Sequence, residues 1–159
     1  GSHAKVGLVD LQSIQLDADK LDGGIWWRLS VRDGHLTGEQ VDKPNADDPA
    51  ILLVPMGVAY QRQLEREQEP HSRKLRDSDT PPDELERLQL STSAKALAAT
   101  VVRDWHNITF RGQALGFSQA KCAELLADRT FRNLLDFVLI QCSQREAALV
   151  SVEADSAGN

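Results

Sequence analysis

Cysteine is nearly missing from this 159-residue chain: only Cys122 and Cys142 occur, far apart and in segments with a helical pattern. No C-x-x-C or other close Cys/His pair is present to hold a metal on a turn, and His3, His35, His71 and His106 are equally scattered. Both thiols are expected to be buried and to pack as small hydrophobes, with no metal and no other cofactor. Proline is limited to six residues, and charged residues make up 26% against 41% hydrophobic, which excludes wholesale disorder and fibrous classes. No apolar run approaches the roughly 20 residues that span a bilayer, and no charged-then-apolar leader opens the chain. No membrane association is expected. Basic charge is also short: 24 acidic and 18 basic side chains give a net charge of −6. A surface of that sign does not release counterions from phosphate, so no nucleic-acid partner is expected. Together these point to one acidic, soluble, intracellular domain large enough to fill a core without disulfides.

Catalytic signatures are missing as well. There is no G-x-S-x-G elbow and no G-x-x-x-x-G-K phosphate loop. Carboxylates are dense from Glu65 to Glu86, but they alternate with Arg66, Arg73, Lys74, Arg76 and Arg87, the pattern of a solvated helix face. No catalytic residue is assigned, and an enzyme is not expected.

What is present begins with strict alternation. In Ile25-Trp26-Trp27-Arg28-Leu29-Ser30-Val31-Arg32, Ile25, Trp27, Leu29 and Val31 share one face, which predicts a half-buried strand. Asp33-Gly34 predicts a hairpin turn into His35-Leu36-Thr37. Val6 to Leu16 can supply another strand, and Ile51-Leu52-Leu53-Val54 a short one closed by Pro55. Residues 42–49 read as a loop. After Gly57 a long polar helix is expected, kinked or ended at Pro70. A break at 77–84 follows, with Thr80 as cap and Pro81 at the first helical position. Leu85, Leu88, Leu97, Ala98, Val101, Val102 and Trp105 then fall at helical spacing, predicting a core helix of about six turns. Residues 108–117 suggest a loop or small hairpin turning at Arg111-Gly112. Ser118 is placed as an N-cap, and Asp128 as the cap of a last helix from about Arg129 to Leu149. Phe131, Leu134, Leu135, Val138 and Cys142 form its core stripe. Phe137, Leu139 and Ile140 lie outside that stripe: either the helix is buried on more than one side, or these residues are candidates for partner binding.

The succession from Ala59-Tyr60, through Thr100-Val101-Val102-Arg103-Asp104-Trp105, Phe117-Ser118 and Leu125-Leu126-Ala127-Asp128, to Phe131-Arg132-Asn133-Leu134-Leu135-Asp136-Phe137-Val138 resembles the tail assembly chaperones of long-tailed bacteriophages and prophages. The resemblance covers about residues 58–148. It implies a mostly helical protein that binds the tape measure protein, often also the tail tube subunit, and keeps them soluble in the host bacterial cytoplasm without entering the mature virion. In many phages a longer form also arises by ribosomal frameshifting, and such chaperones can self-associate. The alternative is a structural tail or head–tail connector protein incorporated in the virion.

The expected fold is therefore α+β, mainly α: a small N-terminal antiparallel β-sheet followed by a bundle of about four helices. Residues 1–57 form a β-rich subdomain, with Gly1-Ser2-His3 as a tag remnant. Residues 58–150 form the helical chaperone-like domain, and 151–159 a flexible tail. Residues 1–55 hold nine acidic and five basic groups, whereas 56–110 hold nine and eight. The sheet-like third is thus expected to preserve solubility while the nearly neutral helices meet the partner.

Overall fold

The computed structural model describes residues 7–150; the expected tag remnant at 1–3 and the expected flexible tail at 151–159 lie outside the described residues. The first described segment is not a strand. Asp10 and Asp17 each turn the chain helical by accepting a backbone N–H two residues on, from Gln12 at 3.0 Å and Asp19 at 2.9 Å. They open a 3-10 turn at Leu11–Ile14 and helix α1 at Ala18–Gly23. Of the strand expected at Val6 to Leu16, the described part keeps only an isolated bridge, Leu16 to Leu149. Two side-chain caps in one decapeptide outcompete a short apolar alternation.

The alternating segment does form strand β1, Ile25–Arg32. Asp33 and Gly34 take φ of 52° and 79° and reverse the chain into β2, His35–Val41, the left-handed pair that a tight hairpin requires. Ala50–Leu53 is β3, antiparallel to the other side of β1. Ile25, Trp27, Leu29, Ile51 and Leu53 point inward and are buried. Val31 continues the alternation but is 73% exposed.

The chain then enters α2, Val58–Gln68. Pro70 removes an amide donor, and the helix tightens into a 3-10 turn at Glu69–His71 before α3, Ser72–Arg76. The next helix, α4, spans Pro82–Thr100. Its N-cap position is Pro81 rather than Thr80, and Pro82 occupies the first turn. Thr80 Oγ1 instead donates to the Lys74 carbonyl at 2.6 Å, closing the break after α3.

The main departure from expectation follows α4. Val102–His106 is not helix but strand β4, the fourth in a sheet of order β2-β1-β3-β4. Leu52 pairs with Asp104 and Leu53 with Val102, so one step on β3 matches two on β4. The bulge leaves Arg103 unpaired and brings Val102 and Trp105 to the same side, both buried. A three-residue spacing created by a bulge imitates a helical stripe, which is why the run read as the end of a six-turn helix.

Beyond β4, Thr109–Phe110 (β5) and Gln113–Ala114 (β6) pair as a small hairpin turning at Arg111-Gly112, with Arg111 at φ 51°. Trp105 Nε1 donates to the Leu115 carbonyl at 2.8 Å, and its ring meets Phe117 edge-on at 5.0 Å. Ser118 caps α5, Gln119–Ala127, through a 3.0 Å bond from the Lys121 amide. Asp128 accepts from Thr130 N–H and Oγ1, bonds that hold its carboxyl below the usual range. It caps a 3-10 turn, Arg129–Phe131, and α6 follows at Arg132–Cys142. The last expected helix therefore ends seven residues early, and Arg145–Ala148 is a separate 3-10 turn.

The architecture is α+β and matches the expectation in part: helices follow an antiparallel sheet, but short α1 precedes it, and β4 is a strand of that sheet inserted among α2 to α6 in place of a simple bundle of about four helices. One buried cluster joins Ile25, Trp27 and Ile51 of the first segment to Leu97, Val101, Leu126 and Val138 of the second. Residues 1–57 and 58–150 thus share a core and a sheet. Each large aliphatic side chain in that cluster contributes about 1.5–3 kcal/mol.

Candidate functional site

Helix α6 lies over the inner face of the sheet, and Gly38 on β2 makes the approach close. A Cβ at Gly38 would stand 2.8 Å from Phe137 Cζ, so the ring fills the space a side chain would take. Asn133 Nδ2 donates to the Gly34 carbonyl at 2.7 Å, fixing the start of the helix over the hairpin.

This arrangement corrects the expected partner surface. Phe137 is 3% exposed and belongs to the core. Leu139 is half-buried; it lines a shallow depression of about 160 Å³ between α4 and α6 with Leu90 and Leu135, rimmed by Glu86 and Arg132. Of the three candidates only Ile140 is open, at 56% exposure. Phe137 lies off the single stripe yet in the core, as the reading of a helix buried on more than one side has it. Helix α6 has two such sides, one toward α5 and one toward β2.

A larger apolar groove, of about 670 Å³, opens where α1, the start of α2 and the end of α6 converge. Leu21, Met56, Val58 and Gln61 line it, with Cys142 in its floor and Arg145 at its rim. The Met56 amide donates to the Cys142 carbonyl at 2.8 Å, which ties the approach to α2 to the end of α6. Gly57 stands at the N-cap of α2 with no side chain to satisfy the first amides. Val58 is 66% and Leu21 36% exposed. Beside this groove the first described segment exposes Leu8, Leu11 and Ile14 at 67–75%. Periodicity could have found these residues: they recur every third position, Leu8 before the first capping aspartate and Leu11 and Ile14 between the two.

A second surface is the outer face of the sheet. Trp26 stacks on His106 with centroids 4.7 Å apart, and Asp104 Oδ2 lies 3.3 Å from His106 Nε2. Arg28 pairs with Glu39 across β1 and β2, and this pairing raises the guanidinium pKa further. Side chains of both Asp104 and His106 are about two-fifths exposed, so water screens the pair.

The two cysteines are buried thiols, as expected. Burial pushes Cys122 up to about 12 and Cys142 up to about 11, opposite to the shift a nucleophile needs. Among the described residues no group of three or more His, Cys, Asp or Glu is placed to hold a metal ion. No helix among them is long and apolar enough to cross a membrane.

The fold is that of a small α+β domain with an open, mainly apolar groove among its surface features. Residues 56–159 match the family model described as YdaY prophage protein, and the chain belongs to that family. The matched region starts at Met56, in the groove, and takes in β4 and every element after it. No curated protein and no solved structure matches the chain.

Proposed function

We propose that this prophage protein is a tail assembly chaperone that binds the tape measure protein, with the tail tube protein as a second client, and keeps them soluble in the host cytoplasm during tail morphogenesis. The observation that carries the reading is the apolar surface. Beside a filled core, nine large hydrophobic side chains among the described residues, from Leu8 to Ile140, stay at 36–79% exposure. A long helical client needs such strips and covers them by mass action, and the net charge of −6 favours solubility of the free protein. The sequence resemblance over 58–148 and membership in a prophage family support the same reading. On α6 the client side is Ile140 with the Leu139 depression, and contact there is non-covalent.

Co-expression with the tape measure gene of the same prophage tests it. The expected result is a soluble complex that survives purification, with Ile140→Asp weakening it about tenfold or more through loss of one buried aliphatic contact. An insoluble tape measure with no recoverable complex would sink the reading. Mass spectrometry of purified particles separates it from a virion component: a chaperone is absent, whereas a tail or connector subunit is present in many copies.

A further inference from the structure

The segment that exposes Leu8, Leu11 and Ile14 and the groove at Leu21, Met56 and Val58 lie at the same end of the molecule. The Asp17 amide donates to the Ala148 carbonyl at 2.7 Å, and the Val150 amide to the Gln15 carbonyl at 2.9 Å. The base of the arm is therefore clamped beside the turn that carries Arg145, a groove residue. Leu21, on the helix that follows the arm, lines the groove itself.

No residue of the arm lines the groove. The arm's aliphatic side chains, Val9 included, remain 67–79% exposed while an open apolar groove of about 670 Å³ stands beside its base. Leu11 and Ile14, i and i+3 of the 3-10 turn, share one edge of it, and Leu8 precedes the Asp10 cap. Charge matches as well. Between Gly7 and Leu16 the only charged side chain is Asp10, and the only charged side chain lining the groove is Arg145.

We propose that two copies of this chain form a two-fold dimer in which Leu8–Ile14 of each lies in the Leu21–Met56–Val58 groove of the other, with Asp10 meeting Arg145. Because arm and groove share one end, a single two-fold axis satisfies both at once, and no free arm or empty groove remains to extend the assembly.

Sedimentation of the full chain across a concentration series tests this without any client. The wild type is expected to be a dimer. The groove variant Val58→Asp should self-associate about a hundredfold more weakly, the scale of losing one buried aliphatic contact in each of two copies, and the arm variant Leu11→Asp/Ile14→Asp, which loses two in each, at least as weakly. All three positions are exposed, and an acid at the first turn of α2 suits the helix dipole, so thermal melts confirm that both variants fold. An equimolar mixture of arm and groove variants retains one intact arm–groove pair, and it should dimerise more strongly than the groove variant alone. A wild type that stays monomeric at every soluble concentration overturns the proposal. So does a dimer indifferent to both variants. A monomer whose Val58→Asp variant loses only tape measure binding assigns the groove to the client instead, and likewise overturns it.

Discussion

The described chain divides at about residue 56 into two regions whose sequences behave differently. Residues 25–53 write their structure locally: alternation, a two-residue turn and a breaker-rich loop give β1, β2 and β3 at almost the expected positions. Residues 56–150 hold the helices, but also a strand that no local pattern announces. The regions differ in charge, with the negative excess in the first, yet they are not separable in packing. The β4 strand lies against β3, and Asn107, at φ 57°, donates from Nδ2 to the carbonyls of Ala46 and Asp48. The N-terminal region supplies the surface on which the prophage-family region closes its core.

Removing residues 1–55 should break the second region. That deletion takes away Ile25, Trp27, Leu29, Ile51 and Leu53, five large buried side chains worth about 7–15 kcal/mol together. This matches the whole stability of a typical domain, about 5–15 kcal/mol. Residues 56–159 alone are expected to keep helical far-ultraviolet dichroism but to lose the near-ultraviolet signal of Trp105 and the cooperative melt. A sharp calorimetric transition in that fragment would show the two regions to be independent.

A smaller test strikes the seam between them. Gly38→Ala forces a Cβ against Phe137 and should cost about 1–3 kcal/mol, as overpacking does. Phe137→Leu in the same chain should restore part of the loss, because it removes the ring atoms in conflict. If the double variant is simply additive, the contact is not what sets the cost.

Within the second region alone, Ser118→Ala removes the cap of α5 and should cost about 1 kcal/mol, about 2–4 °C in Tm for a chain of this length. Hydrogen exchange in β1 to β4 should not change. Faster exchange throughout the sheet would mean that even a helix cap is felt across the seam.

The smallest effect concerns the thiols. Their folded values, about 12 for Cys122 and about 11 for Cys142, lie above the ordinary value of 9.0. The folded state thus binds the thiol proton more tightly than the unfolded state. This contribution is complete below pH 9 and fades as pH rises through the folded values. Stability measured by urea from pH 8 to 10 should fall gently, and Cys122→Ala should flatten part of that slope. Native protein should react with a thiol reagent far more slowly than denatured protein, with Cys142, in the groove floor, ahead of Cys122.

Legibility in the sequence followed the range of the forces. Ser118 and Asp128 were readable as caps because a cap is a contact over two or three residues. The Asp33-Gly34 and Arg111-Gly112 turns were readable because their backbone demands fall on the turn residues themselves. Thr80 was misplaced because its hydroxyl was taken up by Lys74, six residues back. Among the partner candidates, Ile140 was legible as apolar surface, but Phe137 was legible as core only as one of two readings. Its burial depends on Gly38, a residue 99 positions earlier that is small enough to admit the ring. The groove at Leu21, Met56 and Val58 was not readable at all, since its lining comes from three separate stretches.

By itself the sequence determined the acidic charge, the hairpin, the two turns, the caps of α5 and of the turn before α6, and the placing of two inert cysteines in helices. Each is set by neighbours a few residues apart or by composition. Tertiary structure decided the rest. It made a strand of Val102–His106 because Leu52 and Leu53 offered a β-edge that the α4 helix could not use. It turned Phe137 inward, and it left Leu8, Leu11 and Ile14 beside an apolar groove. Those outcomes depend on which surfaces meet when the chain closes, and burial area is a property of the meeting rather than of either segment.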